Sequence, residues 1–260
     1  MQPKLKRILN KIRARVLFAA ARVRGQETIP VKLQSGQVLA VRSTDIVGWE
    51  ILNNESFENT VRHRILSEVQ PGMVVLDVGA NIGYYTVQMA AKVGAAGRVV
   101  AFEPNPVMVL ELKRNLELNR LDNVSIQPIA LSNRPGEAEF FCPPDGWEAH
   151  GSLQPNRTFQ VDHTIKVPTR TLDEVIEQLG LAKVDFIKMD VEGAERNVFQ
   201  GAKRTLSSSN RPAIFFECAE SVCRPFGHYV LDVLQDDAAF GYVIEQIDYG
   251  SWLARPAGKG

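Results

Sequence analysis

The sequence predicts an α/β fold, a mostly parallel sheet covered by helices on both faces. Two observations predict it. Between Met73 and Cys218 the segments "MVVLDV", "RVVAFE", "VDFIKMD" and "PAIFFEC" are almost continuously apolar and alternate with longer segments of helical character. A strand without polar alternation is buried on both faces, as a parallel strand between two helical layers must be. The first of these segments then runs into "DVGANIG", Asp77 to Gly83, with two glycines four apart at a strand-to-helix corner. Glycine weakens regular structure, so it belongs where the backbone turns sharply or lies close to something else. In an open α/β sheet that corner is where ligands bind.

The elements follow in order. Residues 1–25 carry Lys4, Lys6, Arg7, Lys11, Arg13, Arg15, Arg22 and Arg24 and no acid. The whole chain has 30 basic and 30 acidic residues, so this +8 leaves −8 on the remainder. Leu5, Ile8, Leu9, Ile12, Val16, Ala19, Ala20 and Val23 recur at three-to-four spacing and predict a basic amphipathic helix. Its apolar stretch "VLFAAA" is too short for a secretory signal and is followed by "RVRG". Such a helix either attaches to a membrane surface or packs on the domain or on a second subunit, the packed helix being the commoner outcome. "VKLQSGQVLAV", Val31 to Val41, predicts a hairpin around Ser35-Gly36, and "NESFENTVRHRILSEVQPG" a helix ending before Pro71-Gly72. Then come strand "MVVLDV", helix Tyr84 to Val93, strand "RVVAFE", helix Pro106 to Asn119, strand "VSIQPIAL", helix "LDEVIEQLG", strand "VDFIKMD", helix Ala194 to Leu206, strand "PAIFFEC" and a helix around Tyr229 to Leu234. "YVIEQID" and "SWLAR" read as a terminal antiparallel hairpin on one sheet edge. Phe140 to Pro168, rich in Pro, Gly, Asn and His, reads as a long loop, a partly ordered flap or short hairpin beside the site.

Composition narrows the class. With 260 residues, 45% hydrophobic and 23% charged, the chain suits one large domain or at most two small ones. Cys142, Cys218 and Cys223 are too few and too irregular for a disulfide framework, which favours a reducing, cytoplasmic setting, and their spacing suggests no zinc site. No apolar run reaches the ~18 residues of a membrane span. The mildly acidic body argues against a nucleic-acid partner.

The glycine turn lacks the third glycine of a dinucleotide fingerprint, and Asp77 puts negative charge where a pyrophosphate would lie. Glu103, at the tip of the neighbouring strand, can accept both hydroxyls of a ribose. A close-approach turn, a ribose acceptor and local negative charge suit a positively charged nucleoside without phosphates, and S-adenosylmethionine is such a molecule. At the end of "VDFIKMD" gather Lys188, Asp190 and Glu192, costly to bury unless paired or in use. A hydroxyl acceptor must lose a proton, and Asp190 is the first candidate to take it, as base or as the group that orients one. His150, His163 and His228 are further candidates, although a lone loop histidine is more often plain surface. Asp190, Glu192 and Glu217 are also of the right type for Mg²⁺, but metal use is not favoured.

The stretches "PGMVVLDVGANIGYYTVQMA", "GRVVAFEPNP", "NLELN", "NVSIQPIALSN", "TLDEV", "VDFIKMDVEGAERNVFQGA" and "PAIFFE" resemble, in this order, the FkbM family of class I methyltransferases, over roughly residues 50 to 245. The resemblance implies a Rossmann-like, seven-stranded, mostly parallel sheet with an antiparallel last strand. It implies methyl transfer to a hydroxyl of a small molecule or a glycosyl acceptor. It also implies roles. Asp77, Gly79, Ala80, Asn81 and Gly83 would form the turn under the methionine part. Glu103 would hold the ribose, with Pro104 and Asn105 shaping its rim. Ala130, Leu131 and Ser132 would lie near the adenine. The residues themselves, rather than the resemblance, make Asp190, Glu192 and Lys188 the candidates for catalysis. Residues 1–48 are then an N-terminal extension and 49–260 the methyltransferase domain. Three other readings are weaker. An NAD-dependent oxidoreductase lacks its third glycine here. Intact Asp77, Glu103 and Asp190 together argue against a catalytically silent S-adenosylmethionine-binding module. An RNA methyltransferase sits poorly with the acidic body and the missing "NPPY"-type motif.

Overall fold

The computed structural model describes residues 3–42, 46–54, 57–144, 147, 150–155 and 160–257. The chain begins with helix α1 (Pro3–Val23), followed by the antiparallel pair β1 (Thr28–Lys32) and β2 (Val38–Arg42). Helices α2 (Ile46–Asn54) and α3 (Asn59–Glu68) lead into β3 (Val74–Val78), α4 (Tyr84–Val93), β4 (Arg98–Phe102), α5 (Pro106–Leu118) and β5 (Val124–Gln127). Three further strands follow, β6 (Ala130–Leu131), β7 (Gly136–Cys142) and β8 (His163–Arg170), then α6 (Leu172–Gln178) and β9 (Phe186–Met189). The chain closes with α7 (Glu195–Gln200), α8 (Lys203–Leu206), β10 (Ala213–Glu217), α9 (Glu220–Cys223), a 3-10 turn at Arg224–Phe226, α10 (Val230–Ala239), β11 (Tyr242–Asp248) and β12 (Ser251–Pro256).

The main sheet has seven strands in the order β11-β12-β10-β9-β3-β4-β5. β10, β9, β3, β4 and β5 run parallel. β12, last in sequence, is antiparallel to both its neighbours, so the terminal hairpin forms one edge as expected. Alternate residues of each strand feed two cores. Val75, Phe186 and Phe215 face one, Leu76, Ile187 and Phe216 the other. The first core also takes Ala14, Phe18, Ile29 and Leu39, so residues 1–42 are built into the same body, and position 48 lies inside α2.

"NLELN" explains part of that union. Asn115 on α5 and Asn119 at its C-terminal cap lie one turn apart and face the outer edge of β2. Asn115 Oδ1 accepts from Ala40 N at 2.7 Å and Asn119 Oδ1 from Val38 N at 2.8 Å. The two amides donate in turn to Ile82 O and Val38 O. Two side chains thus satisfy edge groups that a third strand would otherwise have to pair.

Three expectations change, and one is made definite. "VSIQPIAL" is two strands in two sheets, because Pro128 interrupts the ladder. β5 closes the main sheet, while β6 joins β8 and β7 in a three-stranded sheet. Phe140 to Pro168 is strand at its two ends, as the short hairpin expected there, and carries no strand between Cys142 and His163 among the described residues. Its ends belong to a hairpin paired from Gly136↔Thr169 to Cys142↔His163. The predicted helix Ala194 to Leu206 breaks at Gly201. A Cβ there would stand 2.2 Å from Ser132 O, the Gly201 carbonyl accepts from Asp173 N, and the Asp173 carboxylate caps Arg204 N and Thr205 N. The helix expected between Asn54 and Pro71 starts only after Glu58, whose φ of 45° is left-handed, and α2 before it was not anticipated.

Candidate active site

The ends of β3, β4, β9 and β10 open onto a cavity of about 1110 Å³, mouth included. Its floor is the turn Gly79-Ala80-Asn81, its sides are Glu103-Pro104 and Ala130-Leu131, and Lys188, Asp190, Glu192 and Glu217 close the far end. Asp77, Gly83 and Asn105 do not line it and act from behind.

The two glycines of the turn answer to the protein before any ligand. Gly79 has φ +79°, and a Cβ on it would stand 1.8 Å from Asp190 O. Gly83 has φ +92°, and its Cβ would meet Leu112 Cδ1 at 2.5 Å. The close approach expected at this corner is therefore between β3 and the end of β9, and between α4 and α5. The turn's N–H groups are engaged internally as well. Those of Gly79 and Ala80 donate to Phe102 O, and that of Asn81 to Glu103 Oε2 at 2.8 Å. No phosphate cradle is left there.

Glu103 is clamped from both sides, since its Oε1 accepts from Asn105 N at 2.9 Å. Each oxygen keeps room for one more donor, which is what two vicinal hydroxyls require. Burial pushes the Glu103 carboxyl up to about 7 against the opposing pull of the two N–H bonds.

Asp77 and Lys188 are register partners on adjacent parallel strands, so their side chains share one face. Both are buried, with Lys188 Nζ 3.6 Å from Asp77 Oδ1. Thr86 Oγ1 donates to the other Asp77 oxygen at 2.5 Å. Lys188 also donates to Gly79 O at 3.0 Å, lies 3.8 Å from Asp190 Oδ2 and sits over the Tyr85 ring at 5.2 Å. Burial alone would lower the lysine's pKa, but Asp77, Asp190, Glu217 and Glu58 outweigh it and the ammonium is held charged. This one cation ties the glycine turn to the end of β9.

Beyond β9 the chain turns through Glu192 and Gly193, at φ 53° and 102°. Glu195 Oε1 braces the turn by accepting from Val191 N and Gly193 N. The turn presents Glu192 Oε1 to His150 Nδ1 at 2.8 Å, while Ser152 Oγ donates to Glu192 O. Burial would lower the His150 pKa, yet the Glu192 hydrogen bond and the charges of Glu192, Asp190 and Glu58 carry it upward. Burial, with Asp190 and Glu58 nearby, pushes Glu217 up to about 9. Among the described residues, Glu195, Cys218 and Cys223 form the one group of three metal-ligating side chains whose ligand atoms lie within 4.8 Å of one another. Asp190, Glu192 and Glu217 do not form such a group.

Sequence reasoning did not place Glu58 and Tyr85 at the site. Tyr85 O–H donates to Glu58 Oε2 at 2.6 Å, and both line the cavity. Nothing in the sequence signals that the link before α3 returns to the sheet top. His150 lay in a segment read as loop, and only the β7–β8 hairpin brings it to Glu192.

The model of the methyltransferase FkbM domain matches residues 77–244. The chain is similar to the 2-O-methyltransferase NoeI of Sinorhizobium fredii, 31% identical over 57% of this chain and 65% of that one. It is 28% identical to the hexuronic acid methyltransferase AglP of Haloferax volcanii over 62% of this chain and 63% of the relative. It is also 28% identical to the 31-O-demethyl-FK506 methyltransferase FkbM of Streptomyces tacrolimicus, over 55% and 64%. It spans less than two thirds of each relative's length. The match begins at Asp77, behind the glycine turn, and runs through Glu103, Lys188 and Glu217 into β11: the chain belongs to the FkbM methyltransferase family.

Proposed function

We propose that the protein transfers the methyl group of S-adenosylmethionine to a hydroxyl of a small-molecule or saccharide acceptor. The observation that carries this is Glu103, a carboxylate fixed by two backbone N–H groups at the cavity wall with acceptor capacity left on both oxygens. Glu103 would hold the ribose hydroxyls, and the apolar wall of Ile129, Leu131 and Phe140 would take the adenine. Asp190, with Asp77 behind it, supplies negative charge suited to a cationic methionine moiety. The bound cofactor supplies an electrophilic methyl on a sulfonium. Relatives named for 2-O- and 31-O-methylation and for a hexuronic acid support a hydroxyl and a saccharide as acceptor. Three free cysteines suit a reducing, cytoplasmic setting.

We assign the proton of the acceptor hydroxyl to His150. Asp190 is half of an ion pair with Lys188 and would surrender that contact on taking a proton. His150 is backed by Glu192, which orients the ring and stabilises the imidazolium, as a carboxylate does behind a catalytic histidine. Asp190 and Lys188 then position the turn and the cofactor.

The test has two parts. Calorimetric titration with S-adenosylmethionine should show binding that Glu103→Ala weakens at least ~10-fold, since two charge-assisted hydrogen bonds are lost. With an acceptor found as a metabolite or glycan one methyl lighter in cells lacking the protein, His150→Gln should lower kcat by ~10²–10⁴ at unchanged cofactor affinity. The wild-type rate should rise with pH through a pKa above 6.5, and the variant should lose that limb. Unchanged cofactor affinity in Glu103→Ala refutes the cofactor site, and unchanged turnover in His150→Gln refutes the base.

A further inference from the structure

Helix α1 buries the face that its sequence did not single out. Ala14, Phe18 and Ala21 are buried, Phe18 packs on Trp49 with ring centroids 5.1 Å apart, and Asn10 Nδ2 donates to Asn53 O. The richer apolar stripe points the other way. Leu9 is 47% exposed, Ile12 53%, Val16 60% and Val23 90%. At roughly 100° per residue these four fall within an arc of roughly 60°, on the side of the helix opposite Phe18. Arg15 and Arg22 border that arc on one side and Arg13 and Arg24 on the other, all exposed. An apolar stripe between two basic rows is the pattern of a helix lying in a membrane interface, apolar face inward and cations at headgroup level.

We propose that α1 docks the protein flat onto an anionic lipid bilayer, with Leu9, Ile12, Val16 and Val23 inserted and Arg13, Arg15, Arg22 and Arg24 on the phosphates. Charge selects this occupant. Residues 1–25 hold eight basic side chains and no acid, so joining this stripe to its copy on a second chain would bring like charges together along both borders. An anionic lipid surface neutralises both rows at once. No described helix is long and apolar enough to cross a membrane, so the contact is peripheral. The anchored face needs no refolding, since α1 is already held on the body by Ala14, Phe18 and Ala21.

The test uses the full-length chain, with vesicles of phosphatidylcholine alone or with phosphatidylglycerol added, and the variant Ile12→Glu/Val16→Glu. Both positions are exposed, so the variant should keep the wild-type melting temperature. The wild type should pellet with the anionic vesicles, weakly with the neutral ones, and less as salt is raised. The double variant should partition about tenfold less or worse, because membrane binding scales with inserted apolar area. Absence of wild-type binding to anionic vesicles overturns the proposal, as does equal binding by the variant. A dimer in lipid-free solution that the same two substitutions dissociate also overturns it, since a second copy then covers the stripe.

Discussion

At position 79 a single methyl group would stand 1.8 Å from the Asp190 carbonyl oxygen, on a backbone already at φ +79°. Neither partner can move easily, because both are main chain at the ends of hydrogen-bonded parallel strands. At position 83 the φ is similar, but the obstacle is the tip of the Leu112 side chain. The left-handed backbone costs a β-carbon ~1–3 kcal/mol at either site, and only at 79 does a main-chain collision add to it. Gly79→Ala should therefore destabilise by more than ~3 kcal/mol or prevent folding, and Gly83→Ala by ~1–3 kcal/mol, in urea titrations. Equal effects would contradict this account of the turn. The glycines themselves were legible, since their place at a strand-to-helix corner demands them. Their partner was not, because the contact between Gly79 and Asp190 joins residues more than a hundred positions apart. Glu103 was legible for the opposite reason. The tip of a strand beside the turn is a position that strand order alone defines.

At the scale of elements, the parallel strands could be read because burial on both faces leaves unbroken apolar runs. β7 and β8 could be read only as a flap or short hairpin, without their bounds. Each buries only part of one face, and Pro168 stands inside β8. The proline is tolerated there because β6 pairs with β8 only from Thr169 onward, so the missing N–H breaks no ladder bond on that side. The consequence reached the site, since the segment that carries His150 had no predicted anchor. Helix α5 shows a different limit. Its apolar face predicted a helix, but the role of Asn115 and Asn119 as a substitute strand needs β2 beside them. Asn115 is buried and serves Ala40 N and Ile82 O. Asn115→Ala leaves both without a partner and should cost ~2–4 kcal/mol, whereas Asn119→Ala, nearer solvent, should cost ~1 kcal/mol. Chemical denaturation of the two variants checks the order, and a larger loss at Asn119 would overturn it.

The molecule as a whole gathers its acids at one end of the sheet and holds them there against burial. Glu103 is pushed up to about 7, Glu195 to about 8 and Glu217 to about 9, in each case chiefly by burial. Asp77 and Glu192 are raised for the same reason. In an unfolded chain a glutamate titrates near 4.5, so between that pH and its folded pKa the native state holds more protons than the unfolded one. Stability from each of these groups is complete below about 4.5 and is lost as pH rises through the folded value. His150, also raised, has the same sign. Lys188 titrates above this window, and exposed Glu245, the one lowered acid among the described groups with a resolved shift, acts below it. Nothing named here compensates between pH 5 and 9. The melting temperature of the cofactor-free protein should therefore fall by about 5 °C or more from pH 5.5 to pH 9, at ~2–4 °C per kcal/mol for a chain of this size. Glu217→Gln removes the group with the widest window, so it should flatten the slope over the whole range from about pH 5 to pH 9, and most completely above pH 8, where Glu103 and Glu195 have already titrated. A melting temperature that is level or rises over this range would show that the carboxylates are solvated in the native state, and their assignment as buried groups would have to be abandoned.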